Sequence, residues 1–192
     1  MMRRRRAGAI IGGMMLAVWL GIGSVTQVQA CEGSQVADAA GAAFLAAAKQ
    51  GSAAAFSKAL ATYADMGQIT IFALGRYQNQ LHPNRRAELI NLTSRYVSTT
   101  LADFAKKFRG TGIEAIQCRP GEVISRFSRG AQGAERIIWR INGNKISDVH
   151  VQNVWLGQLL RDNFASVIQR GGGSIDALFL HLGGKTGAET GK

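Results

Sequence analysis

The order of apolar and polar residues predicts helices towards both ends of the chain and a β-sheet between them. In the first half, apolar residues recur every three or four positions, which is the spacing of one face of an α-helix. The pattern then changes to short runs in which apolar and polar residues alternate between turns, as in β-strands. Helical spacing returns towards the C-terminus. This order of elements indicates the α+β fold class.

The predicted helices are separated by clear breaks in the pattern. They cover residues 34–49, 53–62, 69–74, 84–108, 154–169 and 175–182. The long helix carries one apolar stripe, which consists of Ile90, Val97, Leu101, Phe104 and Phe108. A helix with such a stripe buries it against another element, so we expect this helix to cover the sheet.

About four strands are predicted, at residues 113–118, 122–127, 135–141 and 145–152. Asn142-Gly143 is a strong hairpin signal between the last two. The third strand places on one face Ile137, Trp139 and Ile141. The fourth places Val149 and Val151 on one face, opposite Ile146, Asp148 and His150. An antiparallel sheet with one apolar face needs a cover, which the helices would supply.

Residues 1–30 have the layout of a secretory signal peptide. Four arginines, Arg3 to Arg6, precede an uncharged stretch over 7–25, and small residues end at Ala30. We therefore assign residues 31–182 to a single domain and the Gly/Thr/Lys-rich residues 183–192 to a disordered tail. The alternative for the leader is an uncleaved membrane anchor, because 7–25 almost reaches spanning length. Its glycines make a poor helix, which favours export.

The chain has two cysteines, Cys31 and Cys118, and two interpretations remain open for them. In an oxidising compartment the pair can form a disulfide, which in the chain-entropy model stabilises by roughly 4–5 kcal/mol for so long a loop. The alternative is lipidation of Cys31, which would become the first residue after cleavage. Gln29 is a poor fit to a lipoprotein signal, which prefers a small residue there, so the disulfide is favoured.

Motifs for catalysis or cofactor binding are missing from the sequence. It contains no phosphate-binding loop, dinucleotide fingerprint, Cys-x-x-Cys, HExxH or GxSxG motif. The histidines His82, His150 and His181 share no ligand spacing, so neither a metal nor a cofactor is predicted. Asp148 and His150 share a strand face and can form an acid–base dyad, but a solvated strand face is the favoured interpretation. We predict a non-enzymatic protein and keep a small hydrolase or isomerase as the alternative.

The charge is strongly basic, with 23 Lys and Arg against 12 Asp and Glu and a net charge of +11. The basic residues outside the leader are scattered over several elements and are not interleaved with aromatic residues in a run. Nucleic acid is therefore not an expected partner. An ordinary solvated surface accounts for many of them. The functional interpretation is a basic surface that directs the protein to an anionic membrane or a membrane complex.

Several segments resemble the MlaC/toluene-tolerance family, the periplasmic auxiliary proteins of lipid-moving ABC transporters. In chain order they are Phe72-Ala73-Leu74-Gly75-Arg76-Tyr77, Pro83 with Arg86 and Tyr96, Trp139-Arg140, Asp148-Val149, Arg161-Asp162-Asn163-Phe164, and Gly173 with Leu178 and Leu182. Each segment alone is weak, but their shared order along residues 56–182 is persuasive. The chain departs from the family's pattern at Asn144 and at Asn153-Val154-Trp155. Since some relatives occur with hopanoid pathways, a polycyclic lipid is the alternative cargo.

The resemblance implies a curved antiparallel sheet enclosed by helices around an apolar cavity that holds the acyl tails of a phospholipid. It implies a monomeric periplasmic carrier that moves lipid between an inner-membrane ABC transporter complex and an outer-membrane lipid complex, and so maintains outer-membrane lipid asymmetry. The expected lipid-binding residues are Phe72, Tyr77, Tyr96, Val97, Leu101, Phe104, Trp139, Ile141, Val149, Val151 and Phe164. Arg76 and Arg161 are expected to contact headgroups or partners. A packed adaptor with no cavity larger than a few waters is a further alternative.

Overall fold

The structure is a computed structural model that describes residues 32–105 and 110–183. Its helices are α1 (Ser34–Gln50), α2 (Ala53–Tyr63), α3 (Met66–Leu74), α4 (Arg86–Phe104), α5 (Leu156–Arg170) and α6 (Ile175–His181). Its strands are β1 (Gly112–Arg119), β2 (Glu122–Ser128), β3 (Ala134–Asn142), β4 (Lys145–Val151) and β5 (Val154–Trp155). The α+β fold class predicted from the sequence is confirmed.

The five strands form one antiparallel sheet in the order β1-β2-β3-β4-β5, and the sheet does not close into a barrel. The sequence predicts about four strands and starts a helix where β5 lies. The fifth strand escapes the pattern because it has only two residues, which is too short for alternation to show. The turn before it places Gln152 and Asn153 at positive φ, as in a two-residue hairpin, but lacks the usual glycine.

One face of the sheet, called the inner face below, is apolar and buried. It carries Val123, Phe127, Ile137 and Trp139, as the alternation in β3 predicts. The prediction that Ile146 lies opposite Val149 and Val151 is wrong. Arg140 pairs with Asp148 but the next residue of β3 pairs with Ile146, so β4 contains an extra residue at a β-bulge. The bulge resets the alternation and places Ile146 in the same buried cluster as the two valines.

Helix α1 packs closely on the inner face because small residues line its contact side. Ala37 and Ala40 are fully buried there, and a Cβ added at Gly41 would collide with the Ile113 side chain. The Asp38 carboxylate accepts a 2.7 Å hydrogen bond from the backbone N–H of Ala115, next to an irregularity in β1. This bond ties the helix to the edge strand of the sheet.

Helices α3 to α6 form a second apolar cluster that is separate from the one on the sheet. Its largest buried members are Leu74, Leu89, Phe164, Leu178 and Phe179, from α3, α4, α5 and α6. None of the helices in the described ranges is both long and apolar enough to cross a membrane. The predicted signal peptide, Cys31, Phe108 and all but the first residue of the predicted tail lie outside the described residues.

Arg85 lies just before α4 and connects the start of that helix to α6 through an almost buried guanidinium. Its side chain is 12% exposed, and its nitrogens lie 2.9 Å from the Asp176 carboxylate and 3.1 Å from that of Glu88. The guanidinium carbon lies 3.5 Å from the centre of the Phe179 ring. The arginine therefore combines charge pairing with packing, which isolated surface ion pairs lack.

We predict that Arg85→Ala lowers the free energy of unfolding by roughly 1–3 kcal/mol, because it removes the ion pairs and the contact with Phe179. Arg86→Ala is the matched control, since Arg86 is the next residue and is exposed. It should change stability by at most about 0.5 kcal/mol. Urea unfolding of both variants measures the difference, and equal effects would contradict the role given to Arg85.

Candidate functional site

A cavity of about 400 Å³ lies between the inner face of the sheet and helices α1 to α5. The side chains that line it are almost entirely aliphatic or aromatic, from Phe44 and Phe56 on the helices to Trp139 and Val149 on the sheet. Its volume is within the range of sites that bind small molecules. The lining offers apolar contact over a large surface and few hydrogen-bonding groups.

The lining of the cavity includes an exposed part, called the mouth below, and buried parts, one of which is called the floor. At the mouth, Leu156 and Leu159 line the cavity although they are 39% and 56% exposed. Many other lining residues are at most 9% exposed. Among them, Leu60, Ala64, Met66 and Ile146 lie where the α2–α3 junction meets β4, and we call these four residues the floor. Strand β4 lines the cavity from Ile146 to Val151, a length of about 16 Å at 3.3 Å per residue.

Asp148 is the one carboxylate among the lining residues, and it holds α5 onto β4. Its Oδ1 accepts hydrogen bonds of 2.8 Å from the backbone N–H groups of Val149 and Gly157. A Cβ at Gly157 would lie 3.0 Å from Oδ2, so only glycine leaves room for this approach. A negative charge at the first turn of a helix is stabilising. The carboxylate therefore anchors the helix that carries the mouth leucines.

The structure does not favour Asp148 and His150 as a catalytic dyad. In the described residues, the hydrogen bonds of the Asp148 carboxylate go to backbone N–H groups, and the His150 ring packs 5.0 Å from the Trp155 ring. Over the same residues, His, Cys, Asp and Glu form no group of three that could hold a metal ion. The arrangement suits binding of an apolar molecule better than acid–base chemistry.

Several of the predicted lipid-binding residues meet at the cavity. Those that line it are Tyr96, Val97, Leu101, Trp139, Val149 and Val151. The first three come from α4 and the others from β3 and β4, so helix and sheet face each other across the space. Their contact with lipid stays a prediction, since no ligand is present.

The other five predicted residues lie outside this lining. Tyr77 and Phe164 are buried in the cluster of α3–α6, and Ile141 packs in the sheet cluster, against Gly33. Phe72 and Phe104 are 41% and 48% exposed. Phe104 keeps the apolar spacing of α4 but lies about 10 Å past Val97 along the helix axis, beyond Leu101, where the lining of this helix ends.

The sequence analysis missed the cavity walls that α1, α2, α3 and α5 contribute. The missed residues include Phe44, Leu45, Ala48, Phe56, Leu60, Met66, Leu156, Leu159 and Leu160. On α5, the lining positions 156, 159, 160 and 163 follow the three- and four-residue spacing of one helix face, which the pattern does contain. Nothing in that pattern distinguishes a helix face on a cavity from one on a packed core.

The structure places Arg161 beside the end of α3, outside the cavity lining. Its Nε would lie 2.6 Å from a Cβ at Gly75, and its guanidinium carbon is 5.4 Å from the centre of the Phe72 ring. Gly75 ends α3 at φ 53° and ψ −124°, so glycine is required both for the backbone and for the arginine. A cation at this helix end also complements the helix dipole.

Arg76 is exposed and directly follows Gly75, the glycine that Arg161 packs against. It donates a 2.9 Å hydrogen bond to the hydroxyl of Tyr77. Neither Arg76 nor Arg161 lines the cavity. Since Tyr77, Leu74 and Phe164 share one cluster, the segments around residues 72–77 and 161–164 form a single packing unit.

Cys118 lies on the inner face, where it pairs with Val123 of the neighbouring strand. The described residues contain no free cysteine. Gly33 contacts Ile141 at the same end of the sheet, so the chain just after residue 31 runs close to this strand end. Cys31 itself lies outside the described residues. The Cys31–Cys118 disulfide therefore stays a prediction.

Comparison with known proteins gives one family and a similar solved structure. The sequence model of the MlaC protein family matches residues 38–183. A phospholipid-binding protein from Ralstonia solanacearum, solved in complex with a phospholipid, superimposes with a TM-score of 0.62 at 19% identity. The match covers 80% of this chain and 96% of that one. Comparison with curated protein sequences gives no match.

We predict that Gly75→Ala lowers the free energy of unfolding by roughly 3 kcal/mol or more, because a Cβ both strains the backbone and displaces Arg161. Gly51→Ala is the control, since Gly51 also has positive φ but has nothing within 4 Å of its added Cβ. That variant should lose only about 1 kcal/mol. Denaturant unfolding compares them, and a Gly75 variant no worse than the Gly51 variant would contradict the contact with Arg161.

Proposed function

This chain belongs to the MlaC family, and from this premise we propose that it is a carrier that buries the acyl tails of a phospholipid in its cavity. The headgroup would remain at the mouth. The lining also includes Thr100 and Asn163, which offer neutral polar groups. No covalent chemistry is required of such a carrier. The proposal makes the protein a non-enzymatic lipid-binding protein.

The observation that carries the proposal is the apolar cavity with its open mouth. A methylene group transferred out of water gains about 0.8 kcal/mol, so a sixteen-carbon tail costs roughly 12 kcal/mol if it is left exposed. A surface patch would leave part of each tail in water. A deep cavity takes the whole tail out of water. Its presence favours a carrier over a packed adaptor, which would have no such space.

The fold neighbour supports the proposed cargo. A similar fold from Ralstonia solanacearum is described as phospholipid-binding and holds a phospholipid, which supports a phospholipid here. The predicted signal peptide and the periplasmic character of the MlaC family support a periplasmic location. We extend the proposal to exchange of lipid between an inner-membrane ABC transporter complex and an outer-membrane lipid complex, which rests on the family resemblance.

Native mass spectrometry of the exported protein, purified without detergent and followed by lipid extraction, tests the proposal directly. A phospholipid bound at near one-to-one stoichiometry is the expected result. A bound hopanoid would change the cargo but keep the carrier. A ligand-free mass, with no uptake from phospholipid or hopanoid vesicles, would contradict the carrier and favour the adaptor.

We predict that Leu101→Glu and Val149→Glu each abolish co-purifying lipid while the protein still folds. Each places a carboxylate in the apolar lining, from opposite walls, where an unpaired charge is costly to bury against hydrocarbon. Leu180→Glu is the matched control, because Leu180 lies on α6, is 56% exposed and is outside the lining. Lipid extraction with circular dichroism measures both properties. Full lipid content in a folded Val149→Glu protein would contradict the assignment of this wall.

We also propose that Arg76 contacts headgroups or a partner, as an exposed cation beside α3. Arg76→Glu should slow lipid transfer between vesicles containing anionic lipid at low salt, without emptying the cavity. Arg119→Glu, at an exposed position at the end of β1, serves as the control for the same change of charge. Equal transfer rates for the two variants would contradict the proposal. Arg161 is unsuited to this test because it packs on Gly75.

A further inference from the structure

We propose that Ala64 and Met66 determine the length of the acyl chain that the cavity accepts. This inference rests on the proposed carrier function and adds a selectivity for chain length to it. Both residues lie at the floor, between the end of α2 and the start of α3. Ala64 contributes only a methyl group there, so a larger side chain at this position would occupy part of the cavity.

The floor is fixed to the sheet by backbone contacts. Ala64 forms a β-bridge with Ile146, and the N–H of Asp65 donates a 2.8 Å hydrogen bond to the carbonyl of Ile146. The Lys145 ammonium donates to the carbonyl of Thr62 at 2.6 Å and to that of Ala61 at 3.2 Å. These last carbonyls of α2 would otherwise lack partners, and a cation there complements the helix dipole.

The start of α3 is equally fixed, which sets the position of Met66. The Asp65 side chain accepts a 2.9 Å hydrogen bond from the N–H of Gln68, as an N-cap does. Met66 is the first residue of the helix and packs with Leu60 and Ala64 in one buried cluster. Because hydrogen bonds hold both sides of this junction, a chain that is too long cannot push the floor outwards.

The mouth cannot define chain length in the same way. Its leucines are exposed, so a longer tail extends past Leu159 into water instead of meeting a wall. Each methylene left in water lowers affinity about fourfold. A tail that is too short to reach Ile146 makes no contact with the floor residues. The preferred tail is therefore the one that just reaches from the headgroup at the mouth to Ala64 and Met66.

The test loads the delipidated full mature protein from mixtures of saturated phosphatidylethanolamines that differ only in acyl-chain length. Native mass spectrometry then gives the relative occupancy for each length. Ala64→Phe, which fills the floor, should shift the preference to shorter chains and change the ratio of long to short by at least about tenfold. Met66→Ala, which enlarges the floor, should shift the preference to longer chains.

Ala61→Phe is the matched control, since Ala61 is exposed on the same helix and outside the lining. It should keep the wild-type preference. Folding is checked by circular dichroism and thermal unfolding, and Met66→Ala decides the outcome if the phenylalanine variant does not fold. Wild-type chain-length preference in the folded floor variants would overturn this inference alone. A wild-type protein that takes up no lipid of any length would overturn the proposed function as well.

Discussion

The helices and strands around an unfilled apolar cavity lack the side-chain contacts that would hold them in place. Proteins normally fix their helices by close packing, and a space of about 400 Å³ removes those contacts from the centre. Here polar contacts at the periphery replace them. Asp38 ties α1 to β1, Lys145 and the Asp65 N–H tie the α2–α3 junction to β4, and Asp148 ties α5 to β4. The walls formed by α1, by the α2–α3 junction and by α5 are thus attached to the sheet by hydrogen bonds.

The sequence predicted the elements well, because apolar spacing reports which side of each element is buried. It missed β5, whose two residues carry no period, and it misplaced Ile146, because a bulge changes the face without any signal such as glycine. Only the family resemblance predicts the cavity. Val97 and Leu101 were placed on it because they lie on the long helix, whereas Phe44 and Leu159 were missed. A side chain that faces an empty space obeys the same periodicity as one that faces a packed core.

The segments that carry the family resemblance serve mostly as scaffold. Gly75 and Arg161 meet at the end of α3, and Asp148 secures the first turn of α5. These contacts depend on a missing Cβ or on a carboxylate at one position, so they leave a recognisable trace in a sequence. The lining needs only apolar side chains of suitable volume, which many residues satisfy. Recognition of the fold is therefore easier from sequence than identification of the cargo.

The hollow centre also couples occupancy to stability. A ligand that binds only the folded chain raises its free energy of unfolding by RT ln(1 + L/Kd), where L is the free ligand concentration. For a carrier built in this way, the loaded form is the durable one, and the empty form is the state from which unfolding and proteolysis begin. A ligand-free molecule therefore has a shorter lifetime than a ligand-bound one, and turnover removes ligand-free carriers first.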